Sequence, residues 1–242
     1  MDCLASSYRE ENEYMSIADN LTAVMNRCTS AAKRAGRDPS SVKLIVVTKT
    51  VDTDRINEAI AAGALILGEN RVQEAKEKIE KLGPIASWHL IGSLQKNKAK
   101  YAVKLFYMIH SVDNLQLAKE IDKQAAKINK VQDVLIEVSI AGEETKAGVA
   151  LRDALTLIKE AAMLKNISIK GLMTMPPFSS NPEDSRPYFR KLRELSESVA
   201  KEHIPGASMK ELSMGMSGDY EVAIEEGSTM VRVGTAIFGE RK

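Results

Sequence analysis

Lys43-Leu-Ile-Val-Val-Thr-Lys49, followed by Asp52-Thr-Asp-Arg-Ile-Asn-Glu-Ala-Ile-Ala-Ala62, is the stretch on which the architecture turns. Its first half is an unbroken apolar run rich in β-branched residues, the pattern of a strand covered on both faces. Its second half puts Ile56, Ala59 and Ile60 at helical spacing, with Asp52 or Thr53 as N-cap and Gly63 as C-cap. A doubly covered strand feeding an amphipathic helix is the building unit of a parallel sheet.

That unit recurs along the chain. Leu65–Leu67 leads through Glu69-Asn70 into a helix ending at Leu82, and Trp88–Gly92 precedes a helix from about Gln95 to Lys104. Phe106–His110 precedes Asn114–Asn129, and Val134–Ile140 precedes Arg152–Leu164. Ile167–Met173 precedes Arg186–His203, and Glu211–Met214 precedes a short helix near Asp219–Glu226. Met230–Val233 is the last strand, and the chain stops nine residues later. A leading helix starts near Ser16, with Ile17, Leu21, Val24, Met25 and Cys28 on one face, and is ended by Gly36 and Pro39. Eight strands alternating with helices over 242 residues predict an α/β chain folded as a single-domain (β/α)8 TIM barrel with an additional N-terminal helix. A doubly wound open sheet is the alternative, but no GxGxxG follows any strand and no composition shift marks a second domain. The expected division is a polar, disordered leader over 1–15 and one barrel domain over 16–242.

Composition narrows the function. The 34 basic and 33 acidic side chains leave a formal charge of +1, so there is no bulk attraction for nucleic acid or an anionic membrane. Lys96, Lys98, Lys100 and Lys104 form the longest basic cluster, at the spacing of a solvated helix face. The two cysteines, Cys3 and Cys28, form no CxxC or Cys/His ligand set, so neither a disulfide scaffold nor a zinc site is expected. No secretory signal and no long apolar span are present, which makes a cytoplasmic protein the expectation.

In such a barrel the functional face lies at the C-terminal ends of the strands. Lys49 closes a run that should be buried, and a lysine there is either a snorkelling rim residue or a partly desolvated, nucleophilic amine. Arg232-Val-Gly234-Thr235 follows the eighth strand, where barrels commonly bind phosphate, and Gly234 lets backbone N–H groups approach an anion. Met214-Gly-Met-Ser217-Gly-Asp219 offers a similar loop after the seventh, with Ser217 at the start of the short helix. Each loop alone reads as ordinary turn chemistry; two adjacent ones beside a strand-end lysine point to a phosphate ligand. Met173, Met175, Met214 and Met216 read as packing first and candidate ring contacts second. His89 and His110 read as hydrogen-bonded strand-end histidines, and no metal is expected.

Several separate matches then carry a resemblance. They are Val47-Thr-Lys49-Thr, Gly68-Glu-Asn70, Trp88-His-Leu-Ile-Gly-Ser-Leu-Gln95 with Asn97-Lys98, and Lys146-Ala-Gly148. Further on come Gly171-Leu-Met-Thr-Met175, Leu212-Ser-Met-Gly-Met-Ser217 and Gly227–Gly239. In this order and spacing, from about Val42 to Arg241, the chain resembles the pyridoxal 5′-phosphate (PLP) homeostasis proteins of the YggS/PROSC type. Leu90 stands where that family more often has an aromatic residue or methionine, a packing change.

The resemblance implies the PLP fold-type III barrel shared with the N-terminal domain of alanine racemase-type enzymes. By it, Lys49 holds PLP as an internal aldimine, Ser217, Gly234 and Thr235 bind its phosphate, and Arg232 faces the pyridine nitrogen. Asn70 lies beside the ring, and Met173 and Ser213 are carried over as further cofactor-binding residues. A cation beside the pyridine nitrogen makes the ring a poorer electron sink. The implied role is cofactor storage, protection or delivery in vitamin B6 homeostasis, with apo-forms of PLP enzymes as transient partners. A PLP-dependent racemase is the alternative, and a barrel binding some other phosphate ligand is a third. Racemases need a second base, which the related enzymes draw from an additional domain. None of Tyr8, Tyr14, Tyr101, Tyr107, Tyr188 and Tyr220 is well placed for that part, so a non-enzymatic carrier is expected, and a monomer.

Overall fold

The computed structural model describes residues 16–141 and 147–240. The leader expected over 1–15, with Cys3, Tyr8 and Tyr14, lies outside the described residues, as do Lys146 and Arg241.

The described residues form nine strands: β1 (Lys43–Val47), β2 (Ile66–Glu69), β3 (Ser87–Leu90), β4 (Met108–Val112), β5 (Gln132–Ser139), β6 (Val149–Ala150), β7 (Ile167–Met173), β8 (Ala207–Met216) and β9 (Met230–Val233). Eight of them close a parallel barrel. β1 pairs with β2 on one side and with β9 on the other, Lys43 opposite Met230 and Val46 opposite Val233. β9 pairs in turn with β8, β8 with β7 and β7 with β5, and Met108 of β4 opposite Asp133 of β5 completes the circle. The two-residue β6 sits outside this ring against the end of β5, so the seventh and eighth strands expected from sequence are β8 and β9.

The helices are α1 (Ile17–Arg34), α2 (Thr53–Ala61), α3 (Val72–Leu82), α4 (Ala99–Leu105), α5 (Leu115–Ala126), α6 (Ala154–Ala162), α7 (Arg186–Lys201), α8 (Tyr220–Glu225) and α9 (Thr235–Phe238). Ser16 begins α1 with a capping box to Asp19, and Asp52 and Asn114 cap α2 and α5 through their side chains. α9 is only four residues long, too short to cover the last strand. α1 packs against α8, α9 and α2 and so fills the place of the eighth outer helix. Ile17, Leu21, Val24 and Cys28 make that contact; Met25, expected on the same face, is exposed instead, one residue past the buried edge of the stripe.

Alternation along the strands builds two cores. In β1, Val46 points outward to the helices, while Ile45 and Val47 join Ile91, Met108, Leu135, Met173 and Met230 inside the barrel. β4 starts two residues later than its aromatic lead-in suggests. Phe106 N–H closes the last turn of α4 on Ala102 and its ring is buried, whereas Tyr107 is exposed. No helix among the described residues is long and apolar enough to cross a membrane.

Candidate functional site

The C-terminal ends of β1, β2, β3, β8 and β9, with the segment after β7, surround a cavity of ≈ 390 Å³. β1 stops at Val47, so Lys49 stands two residues beyond the strand, half-buried in the cavity wall. The turn carrying it is unusual: Thr50, β-branched, takes a left-handed backbone with φ 63°. On the neighbouring strand end Asn70 lines the same cavity. Gly92, after β3, lets the backbone close on it, since a Cβ there would lie 2.5 Å from the Asn70 carbonyl oxygen.

A second corner is made by the last two strands. Ser217 Oγ accepts from the backbone N–H of Gly234 at 3.3 Å and of Ala236 at 3.4 Å. The loop bearing Ser217 is shaped by Asp219, which accepts from the Met216 N–H at 2.7 Å and the Ser185 hydroxyl at 2.9 Å. Asp219, not Ser217, is therefore the residue that begins α8. Thr235 is exposed at the rim of this corner and also lines the cavity. Two backbone N–H groups meet one hydroxyl here, with a second hydroxyl residue on the same cavity wall, groups of the kind that bind an anion.

Between the two corners Arg232 rises from the barrel interior. Its Nη1 donates to both the carbonyl and the Oγ of Ser213, each at 2.7 Å, and its Nη2 donates to Thr174 O at 3.0 Å. Burial pulls its pKa down to about 10, opposed by the charges of Glu137 and Asp219, so it stays cationic at neutral pH. Ser213 Oγ lies 2.9 Å from His110 Nδ1, and His110 Nε2 lies 2.9 Å from His89 Nδ1.

The cavity thus brings together Lys49, Asn70, Ser217, Arg232, Gly234 and Thr235. It does not include Met173 or Ser213, which are fully buried: Met173 packs in the inner apolar core, and Ser213 reaches the cavity only through Arg232. His89 and His110 are hydrogen-bonded as expected; His89 is the next-to-last residue of β3, whereas His110 lies in the middle of β4, and both side chains are buried inside the barrel. Sequence reasoning missed Val47, Ile91, Ser93, Pro177, Phe178 and Asp219 as cavity wall. The Pro176-Pro177 pair was the available signal, since two consecutive prolines three residues beyond β7 keep that segment out of strand and helix; Phe178 beside them is 96% exposed. Among the described residues no group of three His, Cys, Asp or Glu side chains is placed to hold a metal ion.

Comparison with known proteins accords with this geometry. Residues 20–242 match the alanine racemase N-terminal domain family. A pyridoxal phosphate homeostasis protein of Aquifex aeolicus is 49% identical over 229 residues, covering 94% of this chain and all of that protein. PipY of Synechococcus elongatus, solved with PLP bound, superposes with a TM-score of 0.81 at 35% identity, covering 93% of this chain and 100% of that one. An alanine racemase of Clostridium difficile has a TM-score of 0.69 at 18% identity, a likeness of fold alone, and this chain covers 57% of its length.

Proposed function

The chain belongs to the pyridoxal phosphate homeostasis proteins, within the alanine racemase N-terminal domain family, and from that premise we propose that its cavity binds PLP for storage, protection or delivery in the cytoplasm. One observation carries the reading: a single cavity collects a lysine amine, an anion corner and a buried guanidinium. The residues fit the cofactor. Ser217, Thr235 and the amides of Gly234 and Ala236 suit a phosphate, and Val47, Ile91 and Met216 give apolar wall for a ring. Bound PLP supplies an aldehyde that condenses reversibly with a primary amine. Lys49 is the amine assigned to it, and Asn70 lies where it can orient the ring.

Arg232 is assigned to the pyridine nitrogen. A buried cation there disfavours a proton on that nitrogen and so weakens the ring as an electron sink. Besides Lys49 and Arg232, Asp219 is the one titratable side chain of the cavity wall among the described residues, and its two oxygens are already engaged by Met216 and Ser185. None of Tyr101, Tyr107, Tyr188 and Tyr220 lines the cavity. A cavity whose described wall offers no second base suits a carrier better than a racemase. The named relatives are homeostasis proteins, which agrees with that choice. Transient hand-over to apo-forms of PLP enzymes by a monomeric protein completes the proposal.

The test is spectroscopic. Protein incubated with PLP should absorb in the visible, borohydride should leave a phosphopyridoxyl group on Lys49, and Lys49→Ala should lose both. Retention of the band by Lys49→Ala would overturn the assignment. For the carrier reading, sustained α-proton exchange from an amino acid at an enzymatic rate is the contrary result.

A further inference from the structure

Behind Lys49, on the side away from the cavity, lies a buried ionic knot with no part in the ligand contacts above. Lys78 of α3 is 7% exposed and Glu69, at the end of β2, is fully buried. Lys78 Nζ donates to Glu69 Oε1 at 2.7 Å, to Glu74 Oε1 at 2.7 Å and to the Thr48 carbonyl at 2.6 Å. Glu69 Oε1 also accepts from the Thr48 hydroxyl at 2.6 Å, and Glu74 Oε1 from the Thr50 N–H at 2.6 Å.

The arrangement has a specific geometric content. The Thr48 carbonyl belongs to the peptide unit before Lys49, and the Thr50 N–H to the unit after it. Two peptide planes flanking a residue determine its φ and ψ, and with them the direction of its side chain. Both planes here are tied, directly or through Glu74, to one ammonium. The left-handed turn at Thr50 is costly for a β-branched residue, and such a conformation persists where its surroundings hold it in place. The cost of burying the ion pair is also high: Glu69 Oε2 is buried with no hydrogen-bond partner among the described residues. A simple apolar contact between α3 and the barrel would join these elements more cheaply.

We propose that Lys78, acting through Glu69 and Glu74, is a positioning residue that aims Lys49 into the cavity. The proposal rests on the reading of Lys49 as the residue that carries PLP.

The experiment uses the full chain, PLP, and pyridoxine 5′-phosphate, which has the phosphate and ring but no aldehyde. Lys78→Met should lower the rate at which borohydride-trapped label appears on Lys49 by about tenfold or more, because small misplacements of a reacting group are costly. Its affinity for pyridoxine 5′-phosphate should stay within about twofold of the parent, since the anion corner is untouched. Labelling at the parent rate, or an equal loss of both ligands, overturns the proposal. If Lys78→Met does not fold, Glu74→Ala and Glu74→Gln decide. The first should slow labelling several-fold and the second, which keeps an acceptor for the Thr50 N–H, should not; equal rates in both overturn the proposal. Absence of label on Lys49 in the parent protein would instead refute the PLP reading itself.

Discussion

His110 Nε2 lies 2.9 Å from His89 Nδ1 in the interior of the barrel, and the donor order along this contact is dictated from Arg232. A guanidinium can only donate, so Ser213 Oγ accepts from it. The Ser213 hydroxyl proton then goes to His110 Nδ1, which leaves the proton of His110 on Nε2, donated to His89 Nδ1. The opposite order would strand a buried hydroxyl proton without an acceptor. Both imidazoles are therefore neutral. Burial is the main cause of their low basicity: His89 falls to about 4, helped by the charge of Lys43, and His110 falls well below its usual value, helped by His89 and Arg232.

The sign of the resulting pH dependence follows. Unfolded imidazoles take up protons below pH 6.5 while His89 in the folded chain resists until about 4, so folding stability contributed by His89 drops as pH falls through that window. The loss is roughly 3 kcal/mol for His89 across the window. Urea unfolding at pH 7 and pH 4.5 should show a smaller acid loss in His89→Gln than in the parent. Equal losses in the two proteins would mean that His89 is not held neutral.

Glu137 works in the opposite direction. It points into the barrel from β5, 3% exposed, and its carboxyl is pushed up to about 7 by burial and by Asp113, with Arg232 opposing. A raised carboxyl favours the folded state below its unfolded value of 4.5, and that contribution is lost as pH rises through about 7. Glu137→Gln removes the penalty of ionising a buried group. It should stabilise the protein by roughly 3 kcal/mol at pH 8 and by little at pH 4.5. A variant that is no more stable than the parent at pH 8 contradicts this account.

Ser217 joins the two loops of the anion corner. Ser217→Ala removes an acceptor from the Gly234 and Ala236 amides and, on the proposed assignment, a hydroxyl from the phosphate. Hydrogen bonds to charged groups contribute about 1.5–3 kcal/mol, so Kd for PLP should rise about tenfold or more. Fluorescence or absorbance titration measures it. An unchanged Kd would place the phosphate elsewhere.

Sequence made these corners legible for a physical reason. Lys49 ends an apolar run, and Ser217 and Gly234 sit in short glycine-bearing loops after consecutive strands; all of these are local patterns. The interior was less legible, because depth depends on strand parity and on where a strand starts. His110 looked like a strand end but lies in the middle of β4, and Ser213 and Met173, carried over from the resemblance, are fully buried outside the cavity lining. Lys78 was invisible for a different reason. In Val-Gln-Glu-Ala-Lys-Glu-Lys78 it looks like one more charge on a solvated helix, and only the fold brings Glu69 and the Thr48 carbonyl to it.

Gly92 tests whether close backbone packing positions Asn70. Its φ is not in the left-handed region, so space rather than conformation demands glycine. A Cβ would meet Asn70 at 2.5 Å from its carbonyl oxygen and 2.8 Å from its Cα, atoms that cannot swing away as a side-chain end does. The Ser111 hydroxyl also holds the Gly92 carbonyl at 2.7 Å, which limits retreat on the other side. Gly92→Ala should therefore displace the end of β2, costing about 1–3 kcal/mol of stability and weakening PLP binding. Gly218 is the control. It lines the same cavity, its φ is also outside the left-handed region, and a Cβ there meets nothing within 4 Å. Gly218→Ala should match the parent in urea midpoint. If the two substitutions have the same urea midpoint, Asn70 is not held in the cavity wall by its contact with Gly92.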